Sequence, residues 1–173
     1  MASSWTHAAG AIAVASTLVP RATPSRAWIA IAVCAVVPDL DAIGRPFGAG
    51  DVAWLGGHRA LTHSIPFAVA LAAILCLTIL RSVSGVTTRL LLCLALSLAI
   101  ASHGLLDSLT TYGEGIQFWA PLSDTRYRSP WPVLGGGIVR DTIAFIAFVG
   151  IARAVIIRRG LASIGRIKLR PRR

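Results

Sequence analysis

Four histidines and seven carboxylates are the chain's whole supply of these side chains, and their spacing suggests metal chemistry. His103 and Asp107 are four residues apart, so on a helix they share one face. There they can offer a nitrogen and an oxygen to one cation, or simply form a polar pair at a helix end. The run His58-Arg59-Ala60-Leu61-Thr62-His63-Ser64 sets two imidazoles around a guanidinium. Ser64 is placed to N-cap the apolar segment that follows, with Pro66 tolerated in its first turn. The positive end of that helix disfavours a protonated neighbour and keeps His63 in the neutral, metal-binding form. Arg59 supplies fixed positive charge for an anionic group such as a phosphate.

Asp39 and Asp41 follow Pro38, which ends an apolar segment by removing a backbone donor. If the backbone is extended, the two carboxylates share a side. One then binds metal while the other orients a ligand or bridges a second ion; the plain alternative is a solvated acidic turn. Asp39, closer to the apolar segment, is the better ligand, and Asp41 is a candidate base. His7 stands just before the first apolar segment, as a further ligand or a surface histidine. Asp141, beside Arg140, supports the site from behind or serves only as a helix-start acid. Arg126 offers a second anion contact. The glycines from Gly135 to Gly137 match no phosphate loop, and nothing is assigned to them.

The elements that must position these groups are apolar. The chain has 173 residues, 55% of them hydrophobic and only 14% charged, a balance foreign to an ordinary soluble domain. Apolar segments run from about Ala8 to Val19, Ala27 to Val37, Ile65 to Leu80, Leu90 to Leu106 and Ile138 to Ile157. The last three are long enough to cross a hydrocarbon core of about 30 Å with some tilt or thinning; the first two are short. Cys34, Cys76 and Cys93 lie inside apolar runs without paired spacing and read as small buried hydrophobes. The start of the chain lacks the basic region of a signal peptide, so no cleavage is expected. Tryptophans 5, 54, 119 and 131 read as anchors at one membrane interface, and Trp28 as a marker of the other.

Charge sets the orientation. The connectors Pro20–Arg26 and Arg81–Arg89 each hold two arginines and no acid, and seven of the 17 basic residues fall in the last 16 positions. Alternating crossings put these three regions on one side, which the positive-inside rule makes cytoplasmic. Every acidic residue and every histidine then returns to the other face or to the segment edges beside it. The net charge of +10 reads as contact with anionic lipid rather than nucleic acid. Residues 1–157 are thus expected to form one membrane-embedded unit, and 158–173 a basic cytoplasmic tail.

With these residues in place, the sequence resembles the YdjM-like family of inner-membrane proteins described as metal-dependent hydrolases. The matching pieces are Thr6-His7, Pro38-Asp39-Leu40-Asp41, His58 to Ser64, His103-Gly104-Leu105-Leu106-Asp107, Thr111-Tyr112-Gly113 and Pro121-Leu122-Ser123, in the same order, reaching to about Tyr127. The resemblance implies a multi-helix inner-membrane protein with a metal centre. The ligand order is also loosely similar to that of zinc-dependent phospholipase C. No histidine follows His103, so the second His-x-x-x-Glu pair of that group is missing, and one or two ions are expected rather than three.

The expectation is therefore an all-α integral membrane bundle of three long and two short apolar helices, with its site at the non-cytoplasmic face. His7, Asp39, His58, His63, His103 and Asp107 would hold a divalent cation such as Zn²⁺. Arg59 and Arg126 would bind the substrate anion, Asp41 and Arg59 would take part in catalysis, and Asp141 would support the ligands. The expected activity is metal-dependent hydrolysis, with a phospholipid or other lipid phosphoester favoured by a site at membrane depth. The bilayer is the expected partner, with no nucleic acid. A metal-stabilised scaffold or a transporter is the alternative. A transporter should carry ionisable groups along a path through the bilayer, and the long segments are polar only towards their ends.

Overall fold

The structure, a computed structural model, describes residues 3–21, 23–47, 51–52, 55–135 and 137–161. Five α-helices carry the fold: α1 (Ser4–Ser16), α2 (Ser25–Cys34), α3 (Ile65–Leu77), α4 (Val86–Ser108) and α5 (Ile138–Arg159). Short 3₁₀ turns include Val37–Ala42 and Leu61–His63. The described residues form no strand, only two isolated bridges, Thr110 with Leu134 and Ile116 with Tyr127. Trp54 and the tail beyond residue 161 lie outside the described residues.

Helix α4 is the axis. It packs against α1, α2 and α3, while α5 docks on α1. Its inward stripe of Leu92, Leu96 and Ile100 with Ala95 and Ala99 is buried, and continues at helical spacing into His103 and Asp107. The facing helices present small side chains: Ala11 and Ala15 on α1, and Ala68, Ala72 and Cys76 on α3. Small residues let helix backbones approach closely, which draws the polar ends of the stripes together. On the outer side of α4, Leu90, Leu94, Leu98 and Leu105 are exposed. Among the described residues α4 is the one helix both long and apolar enough to cross a membrane.

Three expectations change. Helix α3 has 13 residues, about 20 Å at about 1.5 Å per residue, so two helices are long and three short. The chain leaves the helix before Leu80, whose N–H bonds the Leu75 carbonyl in a wider turn. Helix α1 starts before His7, because Ser3 caps it through Thr6 N; His7 therefore sits in the first turns of the helix. Trp28 is buried in the core at 2% exposure and does not mark an interface.

Hydrogen bonds fix the directions of the helices. Ser3 N–H donates to Asp141 Oδ1 (2.9 Å), and Arg159 donates to the Ser16 carbonyl (2.7 Å), so α1 and α5 run parallel. Arg26 reaches Ser82 Oγ (2.6 Å), and His103 Nδ1 reaches the Ala35 carbonyl (2.7 Å), so α2 runs parallel to α4. Gly104 of α4 lies against the His63 carbonyl, where a Cβ would come within 2.7 Å, placing the start of α3 beside the end of α4. One end of the bundle thus gathers the starts of α1, α3 and α5 with the ends of α2 and α4. The other end carries the arginine-bearing connectors.

Candidate metal centre

Four short pieces of chain meet at the first of these ends. His7 comes from α1, Asp39 and Asp41 from the 3₁₀ turn after α2, His58 to His63 from the approach to α3, and His103 and Asp107 from the last turns of α4. Asp41, His63, His103, His7 and Asp107 are buried, with side chains of His58 and Asp39 at 8% and 15% exposure.

Asp41 stands behind two imidazoles. Its Oδ1 lies 2.6 Å from His58 Nδ1, and its Oδ2 accepts from Thr62 Oγ1 at 2.7 Å and from the Arg59 backbone N–H at 3.2 Å. His63 Nδ1 is also 3.2 Å from Oδ2. Burial raises the Asp41 carboxyl's affinity for a proton, but the contacts to His58, His63 and Thr62 outweigh it and hold the group ionised well below the usual carboxylate range. Burial in turn lowers the His63 imidazole more than Asp41 raises it, which favours the neutral ring. Asp39 is likewise held below its ordinary value: burial pushes it up, and the contact with His103 pulls it further down.

With Nδ1 of His58 and His63 turned to Asp41, and Nδ1 of His103 turned to the Ala35 carbonyl, each ring presents Nε2 to a common space. This is the arrangement in which a second partner fixes the tautomer and aims the other nitrogen at a metal. Buried polar groups are normally hydrogen-bonded. Here His58 Nε2, His63 Nε2, His103 Nε2, both nitrogens of His7, Asp39 Oδ1 and both oxygens of Asp107 are buried without a hydrogen-bond partner. The contacts between them are those of crowded ligands: His103 Nε2 is 3.3 Å from Asp39 Oδ1, and His7 Nε2 is 3.4 Å from Asp107 Oδ1. Two subsets have the proximity to hold an ion, Asp39 with His58, His63 and Asp107, and His7 with His103 and Asp107. The donor set of imidazole nitrogens and carboxylate oxygens fits a divalent cation such as Zn²⁺.

The expected pair Asp39 and Asp41 does not point one way. Their segment is a 3₁₀ turn rather than extended chain, so the side chains diverge. Asp39 turns to His103 and the unpartnered atoms, Asp41 to the backs of His58 and His63, while Leu40 between them is exposed.

Arg59 is 4% exposed and adopts φ 67°, the left-handed region that costs a non-glycine residue about 1–2 kcal/mol. Its Nε is 3.1 Å from Asp107 Oδ2, Nη1 donates to the Tyr112 carbonyl and Nη2 to Thr110 Oγ1 at 3.2 Å. These bonds offset the strained backbone, and they place the guanidinium against a candidate ligand. Gly113 makes room for it, since a Cβ there would overlap Arg59 Nη1.

Gly104 is a site residue that spacing did not reveal. A Cβ on it would lie 2.7 Å from the His63 carbonyl oxygen, so glycine lets α4 approach the His63 backbone this closely. The signal was its place within the His103 to Asp107 motif. Asp141 lies further out and joins the α5 start to the cap of α1 through Ser3 N–H, which positions the helix carrying His7. Arg126 bonds the Gly115 carbonyl (3.2 Å) and lines a cleft of ≈ 330 Å³ with Arg45, His58, Arg59 and Glu114. Its neighbour Tyr127 lines a separate apolar groove with Leu98, Leu105, Phe118 and Trp119.

Comparison with known proteins agrees with the membrane setting. The model of a family described as YdjM inner membrane protein matches residues 1–166. The inner membrane protein YbcI of Escherichia coli K12 is 37% identical over 132 residues, covering 75% of this chain and 73% of the relative. No solved structure matches.

Proposed function

The chain belongs to the YdjM inner membrane protein family, and from that premise we propose that it is a metal-dependent hydrolase of a lipid phosphoester, working at the outer face of the inner membrane. The observation that carries this reading is the convergence of unpartnered buried nitrogens and oxygens from His7, Asp39, His58, His63, His103 and Asp107. Leaving such groups unmade costs about 1–3 kcal/mol each, more when charged, so a fold that gathers them implies a ligand that satisfies them. A divalent cation held there would acidify a water molecule and polarise a phosphoryl oxygen.

The chain's own residues supply the rest. Asp41 and the Ala35 carbonyl hold three imidazoles with Nε2 forward. Arg59 neutralises part of the charge on Asp107. Asp39, with an unpartnered Oδ1 and the most accessible side chain of the cluster, is the group placed to take a proton if it is not a ligand. Arg126 and Arg45, at the cleft beside His58, are placed to receive an anionic head group, although Arg45 is paired with Asp51 in the free protein. An amphiphile suits a chain segment with a charged cleft at Arg126 and an apolar groove at the next residue, Tyr127.

The multi-span arrangement rests on the two chemically opposite ends of the bundle and on outward apolar side chains such as Leu90, Leu98, Ile143, Ile146 and Ile157. Arg21, Arg26, Arg81, Arg89, Arg158 and Arg159 mark the cytoplasmic side in this reading. The cleft beside His58 favours catalysis over a closed structural metal site.

The test compares bound metal and phosphodiesterase activity on lipid vesicles for the purified wild type, His63→Ala and Asp107→Ala. Loss of both metal and hydrolysis in the variants is expected. Unchanged metal content would defeat the shared centre, and metal without hydrolysis of any lipid or ester would leave a scaffold. Labelling of cysteines placed at Glu114 and Ser84 tests orientation: reagent outside the cell should reach position 114 and not 84.

A further inference from the structure

Two buried ligand groups share one carboxylate. Asp107 belongs both to the group with Asp39, His58 and His63 and to the group with His7 and His103. Its Oδ1 faces His7 Nε2 at 3.4 Å and its Oδ2 faces His63 Nε2 at 3.8 Å, so its two oxygens face different ligand groups. A cation is already built in on one side, the Arg59 guanidinium, whose Nε is 3.1 Å from Oδ2.

The enclosure therefore has a definite charge balance. Asp39, Asp41 and Asp107 contribute three negative charges and Arg59 one positive, and the imidazoles of His7, His58, His63 and His103 count as neutral ligands. Two negative charges remain, which one divalent cation cancels. A second divalent cation would leave two uncompensated positive charges in a buried space, and unpaired buried charge is strongly unfavourable. An oxyanion arriving from the Arg126 cleft with the second ion would restore neutrality. Arg45 and Asp51 at the rim cancel one another through their own ion pair and do not alter the balance.

We propose that Arg59 is a resident cation that limits the centre to one divalent ion at rest, and that a second ion enters only together with a phosphate-type anion. The proposal rests on the metal-centre reading above and specifies how that centre is filled. It assigns Arg59 a positioning and charge-setting role: the second ion and the substrate anion bind together, and each raises the affinity for the other by the same factor.

The full-length protein in detergent, dialysed against buffered free Zn²⁺ with and without inorganic phosphate, gives the ratio of metal to chain by elemental mass spectrometry. About one ion per chain is expected without phosphate and about two with it. Arg59→Met, in which two ions leave one uncompensated charge instead of two, should hold clearly more than one ion per chain without phosphate, whereas Arg59→Lys, which keeps the charge, should behave as the wild type. Two ions in the wild type without phosphate, or one ion whatever the phosphate, would overturn the proposal. No ion under any condition would remove the metal centre itself, a different failure. If Arg59→Met does not fold, the wild-type comparison still decides, because it needs no variant.

Discussion

The two ends of this helix bundle use charge in opposite ways. At the arginine end, the guanidinium groups are on or near the surface and reach backbone carbonyls: Arg21 bonds the Arg159 carbonyl and Arg159 the Ser16 carbonyl, both at helix ends, and Arg89 the loop carbonyls of Arg81 and Val83. The two helix-end contacts satisfy C-terminal carbonyls and complement their dipoles. At the histidine end, the ionisable groups are largely buried, approach one another at 2.6–4.0 Å and leave ligand atoms without hydrogen bonds. Stability does not require that arrangement, since apolar packing would serve it better. The difference separates an end whose charges serve the backbone from an end whose charges surround unpartnered nitrogens and oxygens.

The contrast can be broken by substitution, and the largest effect should come from Asp107→Ala. Removing this carboxylate leaves Arg59 buried without its ion pair, which typically costs about 3–5 kcal/mol. A large drop in the thermal unfolding midpoint is expected together with loss of bound metal. A variant as stable as wild type would mean that the buried charges at this end are not coupled. Gly104→Ala comes next, because a methyl group 2.7 Å from the His63 carbonyl oxygen forces α4 and the Leu61–His63 turn apart. Overpacking of this kind costs about 1–3 kcal/mol, and metal titration should show weaker binding even though no ligand has changed.

Asp41→Asn sharpens the comparison more gently. The shape is kept, but the acceptor that holds His58 and His63 by Nδ1 is weakened, and losses of this type reduce metal affinity about 10–100-fold. Competition with a chromophoric chelator would measure it, and an unchanged affinity would show that Asp41 does not orient the imidazoles. The smallest effect belongs to the other end. Arg26→Ala removes one exposed contact to Ser82 and should change stability by no more than about 0.5 kcal/mol, with metal content intact. A loss comparable to that of Asp107→Ala would erase the distinction between the two ends.

How far the sequence alone could be followed depended on the range of each interaction. The shared face of His103 and Asp107 needs only helical periodicity, and the Ser64 cap of α3 forms within three residues, at 3.2 Å from Phe67 N. Both were legible. The fate of Asp39 and Asp41 was not, since a 3₁₀ turn and an extended segment give the same four letters different directions. Arg59 looked like an open anion contact because its partners Asp107, Thr110 and Tyr112 come from a remote part of the chain. His7 was left between a ligand and a surface histidine, because the start of its helix, three residues earlier, rests on a cap strengthened from Asp141 far away in sequence. The end of α3 was overestimated because apolar character persists to Leu80 after the backbone has left the helix.

The sequence by itself determined the partition: apolar segments of helical length, connectors that hold arginines and no acid on one side, and all acids and histidines on the other. That follows from composition and from the reversal of direction at each turn, both local properties. Tertiary structure decided which atom of each side chain faces which partner. Only the packed helices bring Asp41 behind His58 and His63, set Asp107 between His7 and Arg59, and reveal Gly104 as the point of closest approach. Those relations depend on distances between residues far apart in the chain, and periodicity within a segment carries no information about them.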